Sequence, residues 1–268
     1  GLLHSAGKKR NAGGNCVIMK KIWNSFLIAF AMFSKIPVPR ADWDKENMRY
    51  MMCFFPLIGV VIGVLLQGLG ILCTWLSFGD TMRGASFVLL PVLVTGGIHM
   101  DGFLDTTDAL SSWQPREKKL EILKDSHAGA FAIIVCCGYF LAAFGIWTEA
   151  GAADIGVLAV GFILSRALNG FGICTFPCAK NSGLAATFAQ AADQKRCQIV
   201  LVIEILLCIA GMLLIDPLRG TKAAVVAVVV CLCCRRMAIK TFGGITGDIQ
   251  GFFQQTCELA MAYVVILQ

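Results

Sequence analysis

The sequence predicts an all-α fold: a polytopic bundle of about seven membrane-spanning helices, preceded by a short interfacial or re-entrant helix. Three observations carry that expectation. The chain is 57% apolar and only 15% charged, whereas a soluble domain carries roughly 25% charged residues. Its mean hydropathy is +0.74. Its apolar runs approach the ~20 residues a spanning helix needs, and short charged loops separate them. Residues 19–268 form one membrane-embedded domain on this reading. Residues 1–18 have no apolar core and are expected to be a leader ahead of a natural start at Met19. Lys8, Lys9 and Arg10 supply half of the net charge of +6, and the other basic residues are spread over loops. No nucleic-acid partner is expected from such a distribution.

The spans are expected at 50–78, 85–98, 128–147, 155–178, 199–215, 223–234 and 249–267. The connecting segments test this threading. Segments 20–49, 99–127, 179–198 and 235–240 together hold sixteen Lys and Arg, and the alternate set holds only Arg83, Arg219 and Lys222. By the positive-inside rule, the N-terminus and the first set face the cytoplasm. The run 22–33 is too short to cross. Lysines flank it on both sides, and Pro37 and Pro39 stop it, so an interfacial or re-entrant helix is expected there. Most of the thirteen cysteines lie within apolar runs, where cysteine packs as a small hydrophobe. None has partners at zinc spacing.

The segment Gly96-Gly97-Ile98-His99-Met100-Asp101-Gly102-Phe103-Leu104-Asp105-Thr106-Thr107-Asp108 is the most informative stretch. Its aspartates sit at i, i+4 and i+7, which a helix stacks on one face. Carboxylates so placed repel one another unless a cation joins them. Oxygen-only ligands suit Mg²⁺ or Mn²⁺ rather than zinc, and Mg²⁺ characteristically shares one or two carboxylates with substrate phosphates. A solvated helix start accounts for one or two acids but poorly for three on one face. His99 could bind or protonate a ligand, although a lone histidine is more often structural. Pro115 is expected to restart a helix. Asp125-Ser126-His127-Ala128-Gly129 offers an acid, a hydroxyl and a close backbone approach to a phosphate.

A second cluster is Gly243-Gly244-Ile245-Thr246-Gly247-Asp248. Its glycines permit an anion-binding nest of backbone amides, or only a turn between two spans. Asp248 and Glu258 are expected to border one polar cavity. Arg166 and Glu204 lie inside spans, where charges commonly face a wet interior. The planar fork of Arg166 suits a phosphate, and Asn169 extends the same face. Glu204 has apolar neighbours, so a snorkelling role competes equally.

Phe33-Ser34-Lys35-Ile36-Pro37-Val38-Pro39, Phe54-Phe55-Pro56-Leu57-Ile58-Gly59, the three-aspartate segment, Asp125-Ser126 and the 243–248 cluster follow in one order. In that combination the chain resembles the cobalamin synthase (adenosylcobinamide-GDP ribazoletransferase) family from Met19 onward. The resemblance implies a Mg²⁺-dependent integral inner-membrane enzyme with its active site facing the cytoplasm. A hydroxyl of α-ribazole, or of its 5′-phosphate, would attack adenosylcobinamide-GDP and release GMP. Asp101, Asp105, Asp108 and Asp248 would then be catalytic metal ligands. Arg166, His99, Asp125, Ser126, Thr246, Gly244, Gly247 and Glu258 would contact substrate. The family often carries Arg where His127 stands and an acid where Gln255 stands, which leaves Glu258 as the acid of the last helix. Membrane lipid is the other expected partner; self-association and association with other corrinoid-pathway enzymes stay open. Two further readings remain at this stage. A CDP-alcohol phosphotransferase also uses clustered aspartates, but Leu110 stands where its pattern has Arg. A cation or metabolite transporter would place its acids nearer mid-bilayer.

Overall fold

The computed structural model describes residues 19–125 and 127–267. The leader 1–18 and Ser126 therefore lie outside the described residues. Among the described residues, regular structure is helical throughout, apart from one isolated parallel bridge between Cys178 and Ile245. In chain order the helices are α1 (19–33), α2 (Met51–Trp75), α3 (Asp80–Thr95), α4 (Ile98–Ser111), α5 (Arg116–Ile122), α6 (Ala130–Thr148), α7 (Ala152–Thr175), α8 (Leu184–Ala191), α9 (Gln194–Ile215), α10 (Pro217–Met237) and α11 (Gly247–Ile266). A single π-helical turn, Ala238–Phe242, links the last two. Each of the seven expected spans falls on one of the longer helices.

Four of these helices, α2, α6, α7 and α9, are long and apolar enough to cross a membrane. The number is five if the bent pair α3 and α4 counts as one span. In α10 the apolar stretch is bracketed by Arg219, Lys222, Arg235 and Arg236. In α11 the residues Gln250, Gln254, Gln255 and Glu258 lower the mean hydropathy, yet all four are buried against other helices. Polar side chains are tolerated in a spanning helix when the bundle, not lipid, surrounds them.

The hub is α7. Its apolar stretch is 83% buried, against 17–33% for α2, α6 and α9. It packs on α2, α9, α10 and α11. Gly59 and Gly63 of α2 let that pair approach closely: a Cβ on Gly59 would lie 2.3 Å from the Phe162 carbonyl oxygen. Small residues of this kind allow close helix packing in lipid. The outward faces of α6 and α9 expose Ile134, Leu141, Leu207 and Leu214. A water-facing surface would not sustain so much apolar area.

One end of the bundle is fastened by ion pairs. Arg219 reaches Asp154 and Asp216 at 2.7 Å each, so the starts of α7 and α10 are tied together. Arg83 pairs with Asp80 at 2.9 Å and donates to the Ala150 carbonyl.

The turn between α3 and α4 positions the acidic segment. Gly96 and Gly97 both take left-handed backbone angles (φ 66° and 78°), where a Cβ is strained. α4 leaves α3 at 95°. It is a helix in its own right, outside the run of α3, and it lies against α11 and α6. α1 is helical over the expected stretch. Leu27 to Phe30 are buried, Met19 and Trp23 are exposed, and the Lys35 amide after it bonds the Val94 carbonyl.

Candidate active site

Asp101, Asp105 and Asp108 lie on α4, as the spacing requires, and Asp248 occupies the first turn of α11. Two glycines bring these helices together. A Cβ on Gly102 would lie 2.7 Å from the Asp248 carbonyl oxygen, and one on Gly251 would lie 2.9 Å from that of His99. Backbone therefore meets backbone, and the fourth carboxylate is delivered beside the first three.

The electrostatics register this crowding. The Asp105 carboxyl is pushed up from its ordinary 3.8 to about 6, first by burial, then by Asp101, Asp248, Asp108 and Asp125. Among the described residues, neither Asp101, Asp105 nor Asp248 has a Lys or Arg within ion-pair distance. No three His, Cys, Asp or Glu side chains among those residues converge closely enough to hold a metal by themselves. Oxygen donors carrying uncompensated charge fit Mg²⁺, which ordinarily takes only one or two carboxylates and fills its shell with water and phosphate.

Asp108 has a second task. Its carboxylate accepts the amides of Gly129 and, at 3.1 Å, Ala132. It thus caps the start of α6 from a distance, satisfying donors that a helix leaves unpaired. Asp125 is exposed and turned away from that role. It accepts the His127 amide at 3.0 Å and contacts the ring Nδ1 at 2.7 Å, and His127 holds its carboxyl below the usual range.

The 243–248 cluster differs from the expected nest. The Gly243 and Gly244 amides donate to the carbonyls of Ile239 and Ala238, and the Ile245 amide donates to that of Pro177. These donors are consumed by the π turn and by the bridge to residues 177–179, so the Gly-Gly pair offers no anion cradle. Thr246 caps α11 by accepting from the Ile249 amide at 3.2 Å, and its hydroxyl donates to Asp248 at 3.3 Å. Among the described residues the Gly247 amide, in a first turn without intrahelical partners, stays unbonded, while the Asp248 amide faces its own carboxyl.

Glu258 and Arg166 stand elsewhere. Asp248 and Glu258 do not border one cavity. Ten residues at 1.5 Å rise separate them by about 15 Å along α11. Glu258 points to α7 and accepts from Arg166 (2.7 Å), Ser165 (3.1 Å) and Gln254 (2.7 Å). Arg166 is 1% exposed and also donates to the Phe162 carbonyl. Its ion-pair partner is this glutamate, not an acid of α4. Asn169 continues the ladder, donating to the Gln250 carbonyl and to the Gln254 side chain. Sequence reasoning missed Gln250 and Gln254. The signal was present, since amides four apart in an otherwise apolar helix call for buried partners. Glu204 is half-buried, and one of its oxygens has no partner among the described residues.

His99, Asp101, Asn169, Gly247, Asp248 and Gln250 all line one cavity, together with aromatic residues of α1, α2 and α8. The larger pocket between α6 and α11 is almost wholly apolar and opens on the outer face. The former is the one of the two with acids in its lining.

A sequence model of the family described as cobalamin-5-phosphate synthase matches residues 25–266. A protein of Lachnoclostridium phytofermentans named adenosylcobinamide-GDP ribazoletransferase is 43% identical over 91% of this chain and 94% of its own length. Proteins of the same name from Clostridium botulinum strain Alaska E43 and from Geobacillus kaustophilus are 32% and 31% identical, covering 87% and 93% of the chain and 93% and 97% of their own. No solved structure matches. With nearly the whole chain covered, and with the carboxylates held together by glycine contacts between two helices, the chain belongs to the cobalamin-5-phosphate synthase family of transferases.

Proposed function

We propose that this protein joins ribazole, or its 5′-phosphate, to adenosylcobinamide-GDP with release of GMP, and that Mg²⁺ is required. The observation that carries this reading is the set of four neighbouring carboxylates without a Lys or Arg partner among the described residues, one of them pushed up to about 6 by burial and by the others. In the reaction a ribazole hydroxyl oxygen bonds to the cobinamide-side phosphorus. The phosphorus–oxygen bond to the GMP half breaks, GMP leaves with the bridging oxygen, and the hydroxyl proton is lost. Phosphoryl transfer depends chiefly on positioning and charge neutralisation.

Asp101, Asp105 and Asp248, with Asp108 so far as its capping bonds leave it free, would supply the one or two carboxylates that hold Mg²⁺, substrate phosphate and water completing the shell. The ion supplies neutralisation of the diphosphate charge. Thr246 orients Asp248, and the helix-start amide at Gly247 can donate to a phosphate oxygen. The Gly102 and Gly251 contact keeps α4 and α11 at the spacing these contacts need. Arg166 is best read as the partner of Glu258 that holds α7 to α11. The placement of Lys and Arg supports an inner-membrane protein whose acids face the cytoplasm, where nucleotides arrive.

Purified protein in lipid nanodiscs, given adenosylcobinamide-GDP, is expected to release GMP only when ribazole and Mg²⁺ are both present. The variant Asp105→Asn should insert normally and lose turnover. A folded wild-type protein that releases no GMP would sink the assignment, and an active Asp105→Asn would remove the carboxylates from it.

A further inference from the structure

A cavity of about 250 Å³ lies between α1, α2, α4, α7, α8 and the first turn of α11. Aromatic rings form much of its wall. Phe33 lies 4.3 Å from Phe55 and 6.0 Å from Phe188, centroid to centroid, and stacks on His99 at 6.2 Å with planes 18° apart. Two of the lining residues carry a deep polar atom with no partner among the described residues. His99 is 5% exposed and its Nε2 has no partner. Asn169 is 2% exposed and its Oδ1 has none either. The Asn169 amide is oriented by its own nitrogen, which donates to two acceptors and so leaves the oxygen free. Buried polar atoms without partners cost free energy that a ligand can return. Asp101 and Asp248 line the same cavity.

Flat walls select a flat ring, and two polar groups select a ring with few polar positions. The volume falls just under the ~300–1,000 Å³ of pockets that take drug-sized ligands. It suits one fused two-ring base and is far too small for a corrin macrocycle. Guanine carries polar groups around most of its edge; with Asp101 and Asp248 given to Mg²⁺ on the transferase reading, the rest of the lining would leave several unpaired. A benzimidazole is apolar along its six-membered ring and has one free ring nitrogen.

Resting on the transferase reading above, we propose that this cavity holds the benzimidazole-type base of ribazole. The ring packs on Phe33, Phe55 and Phe188, and its free nitrogen accepts from His99. The Asn169 carbonyl accepts a ribose hydroxyl. The sugar then projects toward Asp101 and Asp248, where transfer takes place.

The test combines kinetics with direct binding on the full chain in nanodiscs. Free dimethylbenzimidazole and GMP serve as separate probes by equilibrium dialysis. Ala185 lines the cavity, so Ala185→Phe should fill it. Loss of dimethylbenzimidazole binding and a rise of about tenfold in KM for ribazole are expected, with KM for adenosylcobinamide-GDP unchanged. His99→Phe keeps the aromatic wall, removes the donor and should raise the same KM by up to about tenfold, the scale of one hydrogen bond. A folded Ala185→Phe with normal KM for ribazole overturns the proposal. So does a loss falling on GMP binding and adenosylcobinamide-GDP, which assigns the cavity to guanine. Wild-type protein that releases GMP but binds no base overturns the cavity alone. Protein that releases no GMP yet binds base until Ala185 is replaced overturns the transferase reading and supports the cavity's ligand.

Discussion

Asp105 shows how far one side chain carries the functional reading. Its carboxyl sits above the usual range because burial and four other acids disfavour its charge. The folded protein therefore holds this proton more tightly than the unfolded chain, so the contribution of Asp105 to stability is greatest below about pH 4 and is lost as pH rises to about 6. In EDTA, thermal unfolding should show a lower midpoint at pH 7 than at pH 4.5. Asp105→Asn should narrow that gap, and an unchanged gap would place the repulsion elsewhere. The Arg166–Glu258 pair makes a different prediction. With Arg166 at 1% and Glu258 at 9% exposure, Arg166→Met leaves a buried carboxylate unpaired and should cost about 3–5 kcal/mol. The double variant Arg166→Met with Glu258→Leu should recover much of it, because a buried pair replaced by apolar groups is often neutral. Full loss in both would mean that the pair is needed for more than packing. Chemical denaturation in mild detergent reads either outcome.

At the scale of elements, Asp108 separates architecture from chemistry. Its carboxylate caps α6 through Gly129 and Ala132. Each amide takes its own oxygen of Asp108, and losing a cap costs about 0.5–2 kcal/mol. Asp108→Asn keeps one acceptor and should lower the unfolding midpoint less than Asp108→Ala, which keeps none. Turnover lost in both variants would assign the charge to the reaction, and turnover lost only with the cap would assign Asp108 to structure. The α4–α11 contact explains why the i, i+4, i+7 spacing alone was incomplete. The spacing puts three acids on one face, but only the glycine approach at Gly102 and Gly251 brings in Asp248 from a helix almost 150 residues later. The opposite lesson comes from the 243–248 cluster. A Gly-Gly pair read in isolation permits an anion nest, yet the π turn Ala238–Phe242 and the bridge to Cys178 use those amides for the chain's own carbonyls.

For the whole molecule, the sidedness implied by sixteen basic residues is open to direct measurement. In oriented membrane vesicles, a protease site placed at 180–183 should be cut from the cytoplasmic side. One placed at 149–151 should be cut from the other side. Cleavage of both from one side would overturn the threading. The ion pairs of Arg219 and Arg83 sit at helix ends on the second side, by the same threading. On that threading the carboxylates and the cavity proposed for the base would lie at the first.

Composition and periodicity alone determined the helical membrane fold, the seven helix positions and the three-acid face. These follow from short-range physics: apolar length against bilayer thickness, and 100° of rotation per residue. The order of motifs pointed to the family. Only the tertiary structure decided which polar residues meet. It paired Arg166 with Glu258, gave Asp108 a helix to cap, parted Glu258 from Asp248 by nearly three turns, and put His99 and Asn169 in one aromatic cavity. Contacts of that kind depend on how helices far apart in sequence rotate and approach. A single chain read locally carries the residue types for them, while the pairing is set by packing around α7.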